Sequence, residues 1–231
     1  MPLGVVVDGL AARVVALSAF AWEPPRVTEP PGAAAVIRVE ALEKRYGERT
    51  VLRNVGFAVR RGETHVVTGP NGSGKTTILR LLVGLAAPSR GTVDVSLDRA
   101  RIGYVGHESL LYAELTALEN LDLYGRLYRV PERRERVGML LERFGLWEAR
   151  AQRVGSFSRG MSQRLALCRA LLHEPELLVV DEPYSALDAD GAALLDHELA
   201  APDRASTVVV ATQEPERLDP VATGRLVLGA R

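Results

Sequence analysis

Residues Gly69 to Thr76 read Gly-Pro-Asn-Gly-Ser-Gly-Lys-Thr, a complete G-x-x-x-x-G-K-[ST] pattern. It follows the short apolar run Thr64 to Thr68 and opens a stretch, Thr76 to Gly84, whose leucines and isoleucine are spaced as on one helix face. Strand, glycine-rich turn and helix in that order constrain the chain more tightly than any other segment. Glycines let successive backbone N–H groups curl around phosphate oxygens, and the helix N-terminus adds its positive dipole. Lys75 then reaches the β- and γ-phosphates, and Thr76 offers its hydroxyl to Mg²⁺. Gly69, Pro70, Asn71, Gly72, Ser73, Gly74, Lys75, Thr76 and Thr77 are accordingly the candidate nucleotide-binding residues. Lys44 and Lys75 are the only lysines among 29 basic residues, which makes a lysine at that position informative.

The rest of the chain alternates in the same way. Val36 to Glu40 reads as a strand, Arg45 to Glu48 as a turn, and Val51 resumes an apolar pattern, which together predict an N-terminal strand-rich layer. Ile102 to Val105, Leu177 to Val180 and Thr207 to Ala211 read as short buried strands, Gly160 to His173 and Asp190 to Ala200 as helices. Between about 108 and 160 lies a polar, helical insert in which Pro131 starts one helix and Gly145 ends another. Strands alternating with helices imply a parallel sheet flanked by helices, an α/β fold. At 231 residues, one substantial core is the default, here residues 35–231. Residues 1–34 read as a poorly ordered extension closing on the proline-rich stretch Glu23 to Gly32. Its apolar part, Leu3 to Trp22, is interrupted by Asp8 and Arg13 and does not read as a membrane span. Twenty-nine basic residues balance twenty-nine acidic ones, so no net field draws the molecule to nucleic acid or anionic lipid. The single cysteine, Cys168, forms no intrachain disulfide and fits a reducing compartment.

Leu177 to Val180 ends in Asp181-Glu182, which places two carboxylates at the carboxyl edge of the sheet beside the phosphate loop. Asp181 is the candidate for the magnesium shell with Thr76, and Glu182 for polarising the attacking water, since phosphoryl transfer depends on positioning and charge stabilisation. These elements say only that the chain handles a nucleoside triphosphate. A small-molecule kinase meets them equally.

The segment between them is more selective. Phe157-Ser158-Arg159-Gly160-Met161-Ser162-Gln163-Arg164 opens a helix some twenty residues before Asp181. Here the sequence resembles the ABC ATPase family, whose signature has the form L-S-G-G-Q followed shortly by Q-R. Ser158 and Gly160 match, while Phe157, Arg159 and Met161 replace the usual leucine, glycine and glutamine. The resemblance covers about 190 residues and implies a P-loop ABC-type nucleotide-binding domain: a RecA-like parallel core, an antiparallel β layer and a helical subdomain. It implies ATP and Mg²⁺ as cofactors. It also implies that Ser158 and Gly160 touch the γ-phosphate held by a second cassette, in a homodimer or heterodimer working under integral-membrane permease subunits at the cytoplasmic face of the membrane. By the same resemblance Tyr46 stacks on adenine, and Ser185-Ala186-Leu187-Asp188 joins the two nucleotide sites. Two positions depart. His107 stands where the family has a glutamine that contacts magnesium and water; it reads either as a ligand of a magnesium-bound water or as a structural histidine. Gln213 stands where the family has a histidine on the γ-phosphate, and it cannot carry positive charge, so attenuated hydrolysis is expected. Gly106-His107, followed by Glu114-Leu115-Thr116-Ala117-Leu118-Glu119-Asn120-Leu121 and then by Ser158 to Met161, resembles, more narrowly, the haem-export ATPases of cytochrome c maturation; a drug or lipid exporter uses much the same cassette.

Overall fold

The computed structural model describes residues 35–201 and 206–229. The extension read at 1–34 lies outside the described residues. Two sheets share the core. Strands β1 (Ala35–Tyr46), β2 (Arg49–Arg60) and β4 (Arg90–Val95) form an antiparallel sheet in the order β2-β1-β4, with β1 and β2 joined by a turn at Gly47-Glu48. Gly47 takes φ 55°, the left-handed conformation that a tight hairpin turn requires. Strands β3 (Thr64–Thr68), β5 (Ile102–Val105), β6 (Leu177–Asp181), β7 (Thr207–Ala211) and β8 (Gly224–Val227) form an all-parallel sheet in the order β5-β6-β7-β3-β8.

The central parallel strands β6 and β7 are buried along their whole length because both their faces are covered. Side chains alternate across the sheet, and the two faces sort cleanly. Val66, Val105, Leu178, Val180, Val208 and Val210 pack into one core with the helical segments. Val67, Leu177, Val179, Val209 and Ala211 pack into the other with β1, β2 and the helix α1 (Lys75–Leu82). The first core receives α2 (Ala117–Leu127), α3 (Arg133–Arg143), α4 (Arg159–Leu171) and α5 (Ala189–Ala200).

Start and stop signals account for these helices. Thr116 caps α2 by accepting from the Glu119 N–H at 3.1 Å, while the Glu119 carboxylate accepts from the Thr116 N–H, a complete capping box. Gly145, at φ 63°, ends α3. Pro131 and Gly145 thus bracket a single helix rather than belonging to two, with α3 beginning two residues after the proline. Two strands went unread in the sequence: β4 and β8. Both are edge strands with largely exposed residues, so neither carries a buried alternation. Among the described residues, no helix is long and apolar enough to cross a membrane.

Candidate nucleotide-binding site

The glycine-rich turn leaves β3 and enters α1. Gly69, Gly72 and Gly74 take φ values of 146°, 79° and 103°, conformations closed to most L-residues. Space demands glycine as well: a Cβ on Gly69 would stand 2.5 Å from the Leu228 carbonyl oxygen, and one on Gly74 2.6 Å from Leu52 Cδ2. The turn closes with the Ser73 N–H donating to the Pro70 carbonyl at 3.1 Å. Lys75, only 7% exposed, donates from Nζ to the Gly69 carbonyl at 2.9 Å, so the ammonium folds back over its own loop. Its other neighbour is Glu182, whose Oε1 lies 3.3 Å away.

Glu182 is held from three sides. Its N–H donates to the Ala211 carbonyl at 2.8 Å, its Oε2 accepts from the Gln213 N–H at 3.1 Å, and its own carbonyl accepts the Ser185 hydroxyl at 2.9 Å. The residue takes φ 45°, a left-handed conformation that costs a non-glycine residue about 1 kcal/mol or more and persists only where surroundings impose it. Asp181, one residue earlier and buried, receives a hydrogen bond from the Thr76 hydroxyl. Burial pushes its carboxyl above the ordinary carboxylate range, and Glu182 adds to this; Thr76, Lys75 and His107 oppose it.

These residues border two clefts. The first, about 570 Å³, is lined by Tyr46, Arg49, the loop from Pro70 through Thr77, His107, Glu182, Ser185 and Gln213. Gly69 and Ser73 do not line it. The second, about 900 Å³, shares Thr76, His107, Glu182 and Ser185 with the first and adds Asp181, Arg80, Phe157 and Arg159. Tyr46 is half-exposed at the mouth of the first cleft, with Lys44 Nζ 4.8 Å from its ring centre. Ser158 does not line either cleft: it is the N-cap of α4 and accepts from the Met161 N–H at 3.2 Å. Gly160 lies against the Ala186 carbonyl, 3.1 Å from where a Cβ would stand. Apart from Gly69, Ser73 and the signature pair, every candidate lines one or both clefts, and Phe157 and Arg159 beside the pair line the second. Two lining arginines, Arg49 and Arg80, went unread in the sequence. Arg80 sits one turn after Thr76 on α1 and hydrogen-bonds Tyr104, so helical spacing pointed to it. Arg49 carries no such signal among so many arginines.

The donor set fits an oxygen-seeking divalent cation. Asp181 Oδ1 is buried without a hydrogen-bond partner, beside the Thr76 hydroxyl. Among the described residues no cluster of three or more histidine, cysteine or acidic side chains exists. One carboxylate and one hydroxyl suit Mg²⁺, which keeps waters and takes phosphate oxygens for its remaining positions.

A glycine cradle at the carboxyl end of β3, a buried lysine over it and two acids at the end of β6 define a P-loop nucleotide-binding domain. The family model described as ABC transporter matches residues 52–185. The chain belongs to the ABC transporter family, and the described residues carry that family's ATP-binding fold. It is 43% identical over 162 residues to the uncharacterized ABC transporter ATP-binding protein YxlF of Bacillus subtilis (strain 168), covering 68% of this chain and 55% of the relative. It is 39% identical over 202 residues to the daunorubicin resistance ATP-binding protein DrrA3 of Streptomyces coeruleorubidus, covering 82% of this chain and 64% of the relative. This chain thus spans less than two thirds of either relative. Among solved structures it superposes with a TM-score of 0.72 and 30% identity on the ATP-binding cassette MJ0796, a dimer in a post-hydrolysis state bound to ADP and Pi; 83% of this chain and 94% of that one are covered.

Proposed function

We propose that this chain is the ATP-hydrolysing subunit of an exporter, acting as a pair of cassettes that close on two Mg-ATP molecules and drive a membrane permease. The observation that carries this reading is the convergence of Lys75, Glu182 and the Gln213 backbone on the phosphate loop, while Ser158 and Gly160 stay outside the clefts. Ser158 and Gly160, which line neither cleft of their own chain, are available to the loop of a second cassette. Thr76 and Asp181 hold the magnesium, which supplies charge neutralisation at the phosphates. Glu182 orients the attacking water, Lys75 balances phosphate charge and Tyr46 stacks on the base. His107, at the junction of the two clefts, hydrogen-bonds the water shell. Opening and closing of the pair couples nucleotide state to the permease at the cytoplasmic face.

The cargo reading is coarser. Haem export rests on the resemblance of Gly106-His107, Glu114 to Leu121 and the Ser158 to Met161 run alone. The name of the Streptomyces relative favours a small organic compound handled as a drug is. A second reading, a nucleotide-gated module with little hydrolysis, draws on Gln213, which contributes a backbone N–H to Glu182 but no cationic side chain.

Steady-state ATP hydrolysis with Mg²⁺ separates the two. Glu182→Gln lowers turnover by about 10²-fold or more, the scale of a lost general base, and Gln213→His raises it. Measurable ATP binding without turnover in any version would sink the motor reading in favour of the module.

A further inference from the structure

Away from the clefts, the side chains of Tyr184 and Arg217, from two other segments, meet at Asp196 on α5. The Tyr184 hydroxyl donates to Asp196 Oδ1 at 2.8 Å. Arg217 donates to the same carboxylate from Nε at 3.1 Å to each oxygen and from Nη2 at 2.7 Å to Oδ2. The guanidinium carbon of Arg217 stands 4.9 Å from the centre of the Tyr184 ring, so the three residues touch pairwise. A forked arginine–carboxylate contact fixes orientation as well as distance. Burial and the neighbouring Asp196 both push the Tyr184 hydroxyl well above its ordinary range, so it stays a donor.

What these residues join is the point. Tyr184 lies two residues after Glu182, and Arg217 four after Gln213. Each segment leaves the end of one of the neighbouring strands β6 and β7, where the ladder bonds stop. Arg217 belongs to the 3-10 turn Pro215–Leu218, and Leu218 is buried in the helix-side core. Glu182, in turn, sits in a left-handed conformation with its carboxylate tied to the Gln213 N–H. None of Tyr184, Asp196 and Arg217 lines either cleft.

We propose that Asp196, with Tyr184 and Arg217, is a positioning clamp that holds the Glu182 and Gln213 segments in one register, keeping the Glu182 carboxylate over the phosphate loop. The inference rests on the reading of Glu182 as the residue that orients water. The clamp acts through the two segments and not on the nucleotide. Asp196 and Arg217 are 40% and 38% exposed, so their share of global stability is small and their loss leaves the fold intact.

The test compares the full chain with Asp196→Ala, Tyr184→Phe and Arg217→Lys. Displacing a water-orienting group lowers kcat while ATP affinity holds: for Asp196→Ala, kcat falls by about tenfold and KM stays within about twofold. Tyr184→Phe and Arg217→Lys, each sparing part of the contact, give smaller losses. In parallel, hydrogen exchange is followed on a peptide spanning residues 211–214. The clamp requires the Gln213 amide to exchange faster in Asp196→Ala and in Tyr184→Phe, with unchanged melting temperature. Unchanged exchange in both variants overturns the clamp, whether or not the chain hydrolyses ATP. Wild-type kcat in both variants, in a chain that does turn over, overturns it too. Faster exchange in the two variants of a chain whose wild type never turns over upholds the clamp and instead removes the hydrolytic reading of Glu182.

Discussion

Replacing Gly74 by alanine perturbs the phosphate loop where it joins α1, and two costs add. At φ 103° an L-residue is strained by about 1–3 kcal/mol. The new methyl would also stand 2.6 Å from Leu52 Cδ2 and 3.2 Å from Val51 Cγ1. Leu52 is 2% exposed and packed in the core beneath the loop, so it has no solvent to swing into. Overpacking of this kind costs about 1–3 kcal/mol. Together the two predict a loss of about 2–6 kcal/mol, or roughly 4–24 °C in melting temperature for a chain of this length. Urea unfolding followed by circular dichroism, on wild type, Gly74→Ala, Leu52→Ala and the double variant, separates the contributions. Leu52→Ala alone costs about 2–5 kcal/mol through the cavity it leaves. It also clears the space the methyl needs, so the double variant is less destabilised than the two singles combined by about 1–3 kcal/mol. Backbone strain remains in the double variant, and with it the displaced loop N–H groups, so ATP binding stays weak in both. Additivity within about 0.5 kcal/mol, or a Gly74→Ala cost under about 1 kcal/mol, would refute the steric argument.

Acidification should weaken the fold through His65. It is buried on β3, stacked on Phe57 at 5.4 Å, and neither ring nitrogen has a hydrogen-bond partner. Burial lowers its pKa, against the raising effect of Glu63. Below the unfolded value of 6.5 the unfolded chain takes up a proton that the native one refuses. Stability present above that pH is therefore lost as pH falls, by up to about 1.4 kcal/mol per pH unit for one proton. Urea midpoints from pH 7.5 to 5.5 read the slope; His65→Phe makes it shallower, and the remainder belongs to His173, lowered in the same sense by burial. At the start of α2, Thr116→Ala removes the hydroxyl that accepts from the Glu119 N–H and leaves the backbone N–H that donates to the Glu119 carboxylate. The expected loss is about 1 kcal/mol, seen as a drop of roughly 2–4 °C in a thermal melt.

Much of this was legible without coordinates. The strands β3, β5 and β7 begin and end where the predicted runs do, because strands packed between two layers are mostly apolar, His65 being a buried exception. Elements at the edges were harder. None of the six residues of β4 is buried, and the strand is held instead by pairing with β1, as at Val39 opposite Val93. Ser158 and Gly160 were read from their residues, but that these two stay outside the clefts while Phe157 and Arg159 line the second became evident only from the fold.

The sequence by itself determined the phosphate loop and the acids that follow β6. Glycine positions and short apolar runs are local properties, and a backbone that needs positive φ at Gly69, Gly72 and Gly74 announces itself in composition. Only the tertiary structure decided that β3 lies between β7 and β8, that Lys75 meets Glu182, and that Tyr184 and Arg217 share Asp196. Those contacts join residues far apart in the chain. They depend on strand order and on which segments leave neighbouring strand ends side by side, and no periodicity along the sequence encodes either.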